Sequence, residues 1–532
     1  MAGDIAPHWT TLKNASDFTP FSKNKGLKKL FFMISILYVG EFLVGYDGTI
    51  IGNLMALETW NRDLNYPDAS KIGLLNASAF IVGVLCGPLN SWMADRFGRA
   101  QLIRVFGFTI VIGTILGVVA GVNRSHSYGL FVASRAVIGW GNTALIQGAL
   151  VAIQEIAHPK YRPMIAASWD CFWIIGNFCA AWTTFGCSHI TTSWSWRIPY
   201  LIQLVPAVYL LVAIHFVPET PRWLLARGRE KEAFDFLVEY HGNGDQTDEM
   251  VLFEWEEMKN TLVLEDAAHG LSWTEVWKAP GNKKRLFLAG LTTFMPQLNG
   301  SAIISFYYSV VLKNVGISSP TQITGIGAGL SMVGLFANMA CVWSLKHFRR
   351  RPMVLIVWPI LMCGLAAMAA AGARFEASGG TNNAAGIAAI VMVWLFNIPA
   401  QYIAPLFYSY PAEILNYAVR AKGMAVWNTV NQATGAYSSY VNSIALAAIT
   451  WKYYLVYIPL LMVQWVLAFL FMVETKGYTL EEISIAFEGD KAAVAQVDAR
   501  LQEERNIGVP PESPVEKEDK DVAAIAVLPA QI

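Results

Sequence analysis

Two sets of charged residues in this sequence sit where ordinary solvation does not account for them. Asp47 follows an apolar run, in the glycine-flanked stretch Gly45-Tyr46-Asp47-Gly48. An ionisable group inside such a run is costly and normally has a partner and a task. Arg135, at the start of another apolar run, is the partner of choice. A carboxyl that alternates between an arginine and a proton is the simplest coupling device, because desolvation favours its protonated form and the arginine its charged form. A fixed structural ion pair is the alternative. The second set is repeated. Glu155-Ile-Ala-His-Pro-Lys-Tyr-Arg162 returns as Glu413-Ile-Leu-Asn-Tyr-Ala-Val-Arg420. Pro218-Glu219-Thr220-Pro221-Arg222 returns as Val473-Glu474-Thr475-Lys476-Gly477, and Asp95-Arg96-Phe97-Gly98-Arg99 as Lys346-His347-Phe348-Arg349-Arg350. Each copy lies about half a chain length from its twin, in the same order. In a hydrophobic chain this pattern implies two homologous halves around a central site.

The elements that must hold these residues are helices. The chain has 532 residues, of which 55% are hydrophobic and only 15% charged, too few for a soluble protein of this length. Its mean hydropathy is +0.40. Apolar runs long enough to cross a bilayer fall at 29–50, 71–93, 101–121, 128–154, 164–186 and 198–217. Six more fall at 285–312, 322–345, 352–373, 386–411, 422–449 and 451–473. Only helices satisfy the backbone of such open runs in lipid, so the expected fold is an all-α membrane protein of twelve spans. The expected domains are an N-terminal segment 1–28, a six-helix bundle 29–217, a central loop 218–284 with short helices, a second bundle 285–473 and a mostly disordered tail 474–532.

Lysine and arginine crowd one set of alternating loops, around Arg96, Arg99, Lys160, Arg162, Arg349, Arg350, Arg351 and Lys422. The positive-inside rule makes that side cytoplasmic, with both termini on it. The first run then serves as an uncleaved targeting signal. Asn123-Arg124-Ser125 is a sequon on the opposite side, set close to a membrane edge. Zero formal net charge gives no reason to expect nucleic acid as a partner. The six cysteines show no metal-type spacing and read as packing residues, and no nucleotide loop or metal cluster implies a cofactor. The charged residues of the basic side make sense as a latch: Asp95, Arg96, Arg99, Glu155, Arg162 and Glu219 in the first half, and Arg350, Arg351, Glu413, Arg420 and Glu474 in the second. Ion pairs there can tie helices and halves together in one state and break in another, each contributing modestly. The alternative is that these charges only set topology.

Together these landmarks resemble the sugar porter family of the major facilitator superfamily, and most of all its fungal hexose and disaccharide permease members. The resemblance rests on Gly45-Tyr46-Asp47, Asp95 through Arg99, Arg135 with Gly139 and Gly141, and Glu155 through Arg162. It continues through Trp196-Arg197-Ile198-Pro199, Pro218 through Leu224, Gln297 with Gly300, Phe306-Tyr307, Pro411-Ala412-Glu413 with Arg420, and Glu474 through Gly477. It covers about residues 30–487. The resemblance implies the major facilitator fold and an acid at Asp47 that couples transport to protons. It implies a sugar site midway between the halves, built from amides and aromatic rings. Gln297 keeps one of the family's two adjacent glutamines, Tyr408 stands at its helix-10 tryptophan position, and Asn431 and Gln432 are further expected contacts, with Asn177 and Asn299 as additional candidates. The pocket departs from the family pattern at Pro296, where a second glutamine is usual, and at Ala302, where an asparagine is usual. Asp170 stands at a common glutamine position and is open to three roles: substrate binding, proton transfer, or facing a water-filled crevice. Gln297→Ala is expected to damage uptake more than Asn177→Ala. In the second basic loop Lys346 replaces the family's acid and Arg349 its glycine, so the latch is expected to rest mainly on the first half.

The function expected is secondary active, proton-coupled uptake of a mono- or disaccharide by alternating access, by a monomer in the plasma membrane. The partners are a sugar or related polyol, protons and the lipid bilayer. Two alternatives stand beside it: a transporter of a non-sugar metabolite such as an organic acid or secondary metabolite, including export, and a nutrient receptor that keeps the fold without transport.

Overall fold

The computed structural model describes residues 24–122, 126–269, 273–278, 280–314, 316–317, 319–345, 347–379, 382–415, 419–476 and Phe487. Asn123, Lys346, the side chain of Arg420 and most of the tail fall outside this set. The first bundle comprises α1 (Lys25–Leu54), α2 (Glu58–Asp63), α3 (Ala69–Phe97), α4 (Arg99–Val119), α5 (Ser127–Ile156), α6 (Arg162–Cys187), α7 (Trp194–Ile202) and α8 (Leu204–Ala213). The central region holds α9 (Pro221–Ala226), α10 (Glu230–Tyr240), α11 (Glu249–His269) and α12 (Trp273–Lys278). The second bundle comprises α13 (Pro280–Gln297), α14 (Ser301–Asn314), α15 (Pro320–Ser344), α16 (Arg350–Ala377), α17 (Asn383–Ile414), α18 (Arg420–Ile449) and α19 (Lys452–Phe471).

With α7–α8 and α13–α14 each counted as one span, these make twelve spans in two halves of six. Eight qualify on length and apolarity alone: α3, α4, α5, α7–α8, α15, α16, α17 and α19. The other four, α1, α6, α13–α14 and α18, carry the polar residues described below. The halves meet along two equivalent seams, α3 against α18 and α6 against α15. Within the first half, α1 lies on α6 with the backbones nearly touching. A Cβ on Gly45 would stand 2.0 Å from the carbonyl oxygen of Trp173, and one on Gly176 2.2 Å from that of Phe42. Small residues that let helices approach this closely supply packing where water exclusion cannot.

The seventh span is broken where the sequence reads as one run. α13 stops at Gln297, Gly300 takes a φ of +93°, and α14 begins at Ser301. Asn299 Oδ1 accepts a hydrogen bond from the Ser301 backbone N–H at 2.8 Å, covering a donor that the break exposes. The central helices pack against the basic end of the first half. α10 buries Ala233, Phe236 and Leu237, and Lys29 on α1 donates to Glu239 at 2.7 Å.

Candidate functional site between the halves

α1 and α5 bring Asp47 and Arg135 together, both almost wholly buried. Arg135 Nη1 donates to Asp47 Oδ1. Asn142, two turns after Arg135 on the same face of α5, donates from Nδ2 to Asp47 Oδ2 at 2.9 Å. Both carboxylate oxygens are therefore engaged. The sequence reading missed Asn142, although its spacing of seven from Arg135 could have singled it out.

On the opposite side of α1, Thr49 and Asn53 face a narrow polar crevice at the seam. Asn177 of α6 also lines it, as do Ser305 and Tyr308 of α14, Ser331 of α15, and Asn397 and Gln401 of α17. Amides and hydroxyls of this kind can both donate to and accept from a polyhydroxylated solute. A larger hollow of about 370 Å³ lies elsewhere, at the far end of the second half, walled mostly by apolar groups such as Val311, Met368, Phe375 and Tyr454. The seam crevice has the polar chemistry and touches both halves, so we take it as the candidate site.

The residues expected to bind substrate are placed differently from that expectation. Gln297 donates to Asn431 Oδ1 at 2.7 Å and Thr293 donates to the same oxygen at 3.0 Å, so these groups satisfy one another within the second half. Gln432 reaches across the seam to Thr143 Oγ1 at 3.2 Å. Asp170, buried, accepts from Asn338 Nδ2 of the other half at 2.6 Å. Tyr408 packs edge-on against Trp427. The walls of the crevice are other residues, of which the sequence singles out only Asn177. Spacing along a helix does not tell a side chain facing a cavity from one facing a neighbouring helix. Asn53, Asn397 and Gln401 were missed for that reason, and so was Glu41, a lone buried acid within an apolar run.

At the basic end the repeated motifs form two matching knots, one in each half. In the first, Arg99 pairs with Glu155 at 3.2 Å, Thr220 donates to Glu155 Oε2, and Glu219 accepts from the backbone N–H groups of Ala100 and Gln101 at 3.2 and 2.9 Å. In the second, Arg350 pairs with Glu413 at 3.2 Å, Thr475 donates to Glu413 Oε2, and Glu474 accepts from the N–H groups of Arg350 and Arg351 at 3.0 and 3.2 Å. Glu219 and Glu474 thus sit on the N-termini of α4 and α16, where a negative charge is favoured. Gly98 makes room for this in the first half. Its φ is +111°, and a Cβ there would stand 2.5 Å from the Glu219 carboxyl.

One sequence expectation needs correction here. In this structure these knots lock helices within each half. The second is as complete as the first despite its different basic loop, because its contacts use Arg350, Glu413, Thr475 and Glu474 rather than Lys346 or Arg349. In the first repeat Glu155 and Arg162 do not pair with each other. Arg162 turns instead to Glu254 of α11 at 3.2 Å. Asp95 meets Arg99 at 3.4 Å while largely exposed, and Arg96 contributes its carbonyl to Arg227.

Glu254 is buried and holds a second partner, His241 Nδ1, at 2.6 Å, while His241 Nε2 lies 3.1 Å from the Ile156 carbonyl. Each ring nitrogen therefore faces an oxygen that can accept. Burial pushes the Glu254 carboxyl up, but His241 and Arg162 outweigh it and hold it below the ordinary range. Burial, and then His241, push His158 down to about 3.

The hydrogen bonds that join the halves cluster at mid-depth and toward the end away from the basic loops. Tyr308 donates to Asn53 at 2.8 Å, Asn76 to the Tyr307 hydroxyl at 3.1 Å, and Ser443 to the Ala69 carbonyl at 2.7 Å. That end is sealed in this structure.

Comparison with known proteins agrees with this architecture. The chain is 26% identical over 511 residues to an MFS glucose transporter of Aspergillus flavus, covering 90% of this chain and 94% of that protein. It is 24% identical over 499 residues to a high-affinity glucose transporter of Kluyveromyces lactis, covering 90% and 88%. It is 25% identical over 522 residues to a probable quinate permease of Aspergillus fumigatus, covering 90% and 91%. The xylose transporter XylE from E. coli, in a partially occluded inward-open conformation, superposes with a TM-score of 0.71 at 19% identity, over 85% of this chain and 100% of that one. The family model described as "Sugar (and other) transporter" matches residues 33–487, which takes in both bundles, both knots and the crevice between them, and the chain belongs to that family.

Proposed function

We propose that the protein is a proton-coupled sugar permease working by alternating access. The observation that carries this reading is the crevice of amides and hydroxyls at the seam, with the Asp47–Arg135–Asn142 group on the other side of the α1 wall. Neutral donors and acceptors suit a solute rich in hydroxyls, and a site between two halves can be exposed to one side at a time. Two of the similar proteins are named as glucose transporters, and a solved relative is titled a proton:xylose symporter. In this reading the basic end is cytoplasmic, the membrane is the plasma membrane, and the sealed end faces outside. Asp47 takes a proton when its surroundings open to water and releases Arg135. Sugar bound in the crevice draws α14 and α17 onto α1 and α6. The two knots keep each half rigid so that movement concentrates at the seams, and the permease acts as a monomer.

A second reading, transport of a non-sugar metabolite, is favoured by the similarity to a quinate permease. The buried carboxyls Glu41 and Asp170 near the seam argue against an anion. The deciding experiment is uptake by yeast lacking its own hexose transporters, across a labelled panel of sugars, polyols and quinate, with and without a protonophore. Sugar accumulation abolished by the protonophore is the expected result. Accumulation of quinate alone would overturn the sugar reading.

A further inference from the structure

Glu41 lies less than two turns before Asp47 on α1, on a different face of the helix. The residue is 3% exposed, and its Oε2 is buried without a hydrogen-bond partner among the described residues. Asp170, on the neighbouring helix α6 that packs along α1, is itself 6% exposed and lies within electrostatic reach of Glu41. Asp170 accepts its hydrogen bond from the neutral amide of Asn338. The other titratable groups facing the pair, among the described residues, are the hydroxyl of Tyr408 from α17 and the thiols of Cys171 and Cys341 from α6 and α15. Tyr38, also on α1, commits its hydroxyl to the Ile165 carbonyl at 2.6 Å. The arginines nearest in the sequence are spoken for: Arg135 pairs with Asp47 and Arg162 with Glu254.

Two ionised carboxylates cannot share a buried space without a cation; the desolvation cost and their mutual repulsion drive one to protonate. The Asn338 amide donates to Asp170 and so favours the charged form there. The proton then belongs on Glu41. Asp170 and Asn338 stand on opposite halves, on the α6–α15 seam, so separation of that seam removes the donor and lets water reach both acids. Building on the transport reading above, we propose that Glu41 and Asp170 form a second proton-binding site, separate from Asp47. It holds one proton on Glu41 when the α6–α15 seam is closed and exchanges it when the seam opens.

The test uses the full-length protein, purified and reconstituted. Infrared difference spectra on titration should contain the carbonyl stretch of a protonated carboxyl that is absent from Glu41→Gln, with a second, altered signal in Asp170→Asn. In proteoliposomes, the proton-to-sugar ratio from reversal potentials should fall by one in Glu41→Gln, whereas Asp47→Asn loses accumulation altogether. An unchanged infrared spectrum in Glu41→Gln would refute the site. An unchanged ratio would refute its use in the cycle. Loss of the wild-type band on adding a protonated amino sugar, with glucose inert, would overturn the proton assignment in favour of a cationic substrate. If the wild type moved no sugar and yet kept the Glu41 band, the transport reading would fail while the proton site stood. The two failures are therefore separable.

Discussion

Replacing Asp47 by asparagine tests the coupling proposal. Asp47 and Arg135 are 2% and 3% exposed, so the substitution leaves a guanidinium charge in the bundle without its counter-ion. Removing one partner of a buried pair costs about 3–5 kcal/mol. Asparagine keeps one acceptor for Arg135 or Asn142, so we take the lower end, about 3 kcal/mol. At about 1.4 kcal/mol per tenfold, that shifts the balance by about two orders of magnitude toward conformations in which Arg135 reaches water. Concentrative uptake should disappear while counterflow exchange persists at a lower rate. The double variant Asp47→Asn/Arg135→Gln should recover most of the folded, surface-exposed protein that the single variant loses, without recovering accumulation. Uptake of a labelled sugar per surface copy, with and without protonophore, measures both effects. Accumulation at the wild-type ratio in Asp47→Asn would refute the coupling role. A double variant no more abundant than the single would show that the unpaired guanidinium is not what destabilises the bundle.

Four further outcomes are expected. Asn177→Ala should damage uptake more than Gln297→Ala, the reverse of the order expected from sequence, because Asn177 lines the crevice and Gln297 is satisfied by Asn431; the initial uptake rates of the two variants decide it. Gly45→Ala should sharply reduce folded protein on fluorescence-detected gel filtration, since its Cβ would collide with the Trp173 carbonyl. His158, pushed down to about 3, binds fewer protons when the central helices are docked, so docking weakens as pH falls from about 6.5 toward 3. Between pH 7 and 5 the loss is about 2 kcal/mol; proteolysis of the central loop should rise more than tenfold over that interval in the wild type and little in His158→Gln. Glu254, held low, adds its own loss only at more acid pH, with the same sign. Finally, excess glucose should compete poorly for the best substrate on the panel if Pro296 and Ala302 have removed two contacts, each worth about 0.5–1.5 kcal/mol; strong competition would restore an ordinary hexose site.

The twelve spans and the twofold repeat were legible because both are written in long-range periodicity: apolar runs of bilayer length, and motifs repeated in order. The Asp47–Arg135 pair was legible because a buried charge leaves few choices of partner. The knots were legible as clusters but not as pairs. Glu155 and Arg162 are close in sequence, yet the chain turns between them at His158 and Pro159, and Arg162 leaves toward α11. Glu155 is met instead by Arg99, from the start of α4. The crevice was the least legible part. Asn53, Asn397 and Gln401 differ from other amides only in the direction they face, and that is fixed by how the two bundles meet. The break before α14 was hidden for a related reason: a helix that stops for three residues keeps its apolar composition.

The closed end of the molecule is held by groups that carry almost no charge. Among the described residues, tyrosine hydroxyls, asparagine amides, serines and backbone carbonyls make its cross-links, with Lys313 Nζ on the Met55 carbonyl, a long 3.5 Å, as the charged exception. Ions in the medium do not screen such bonds, and no protonation change at ordinary acidity undoes them. In the proposed orientation the door to the environment is therefore indifferent to the salinity and sourness of whatever lies beyond it. Dilute and concentrated surroundings should find it shut equally often, and only a solute able to reorganise the seam from within gives it reason to open.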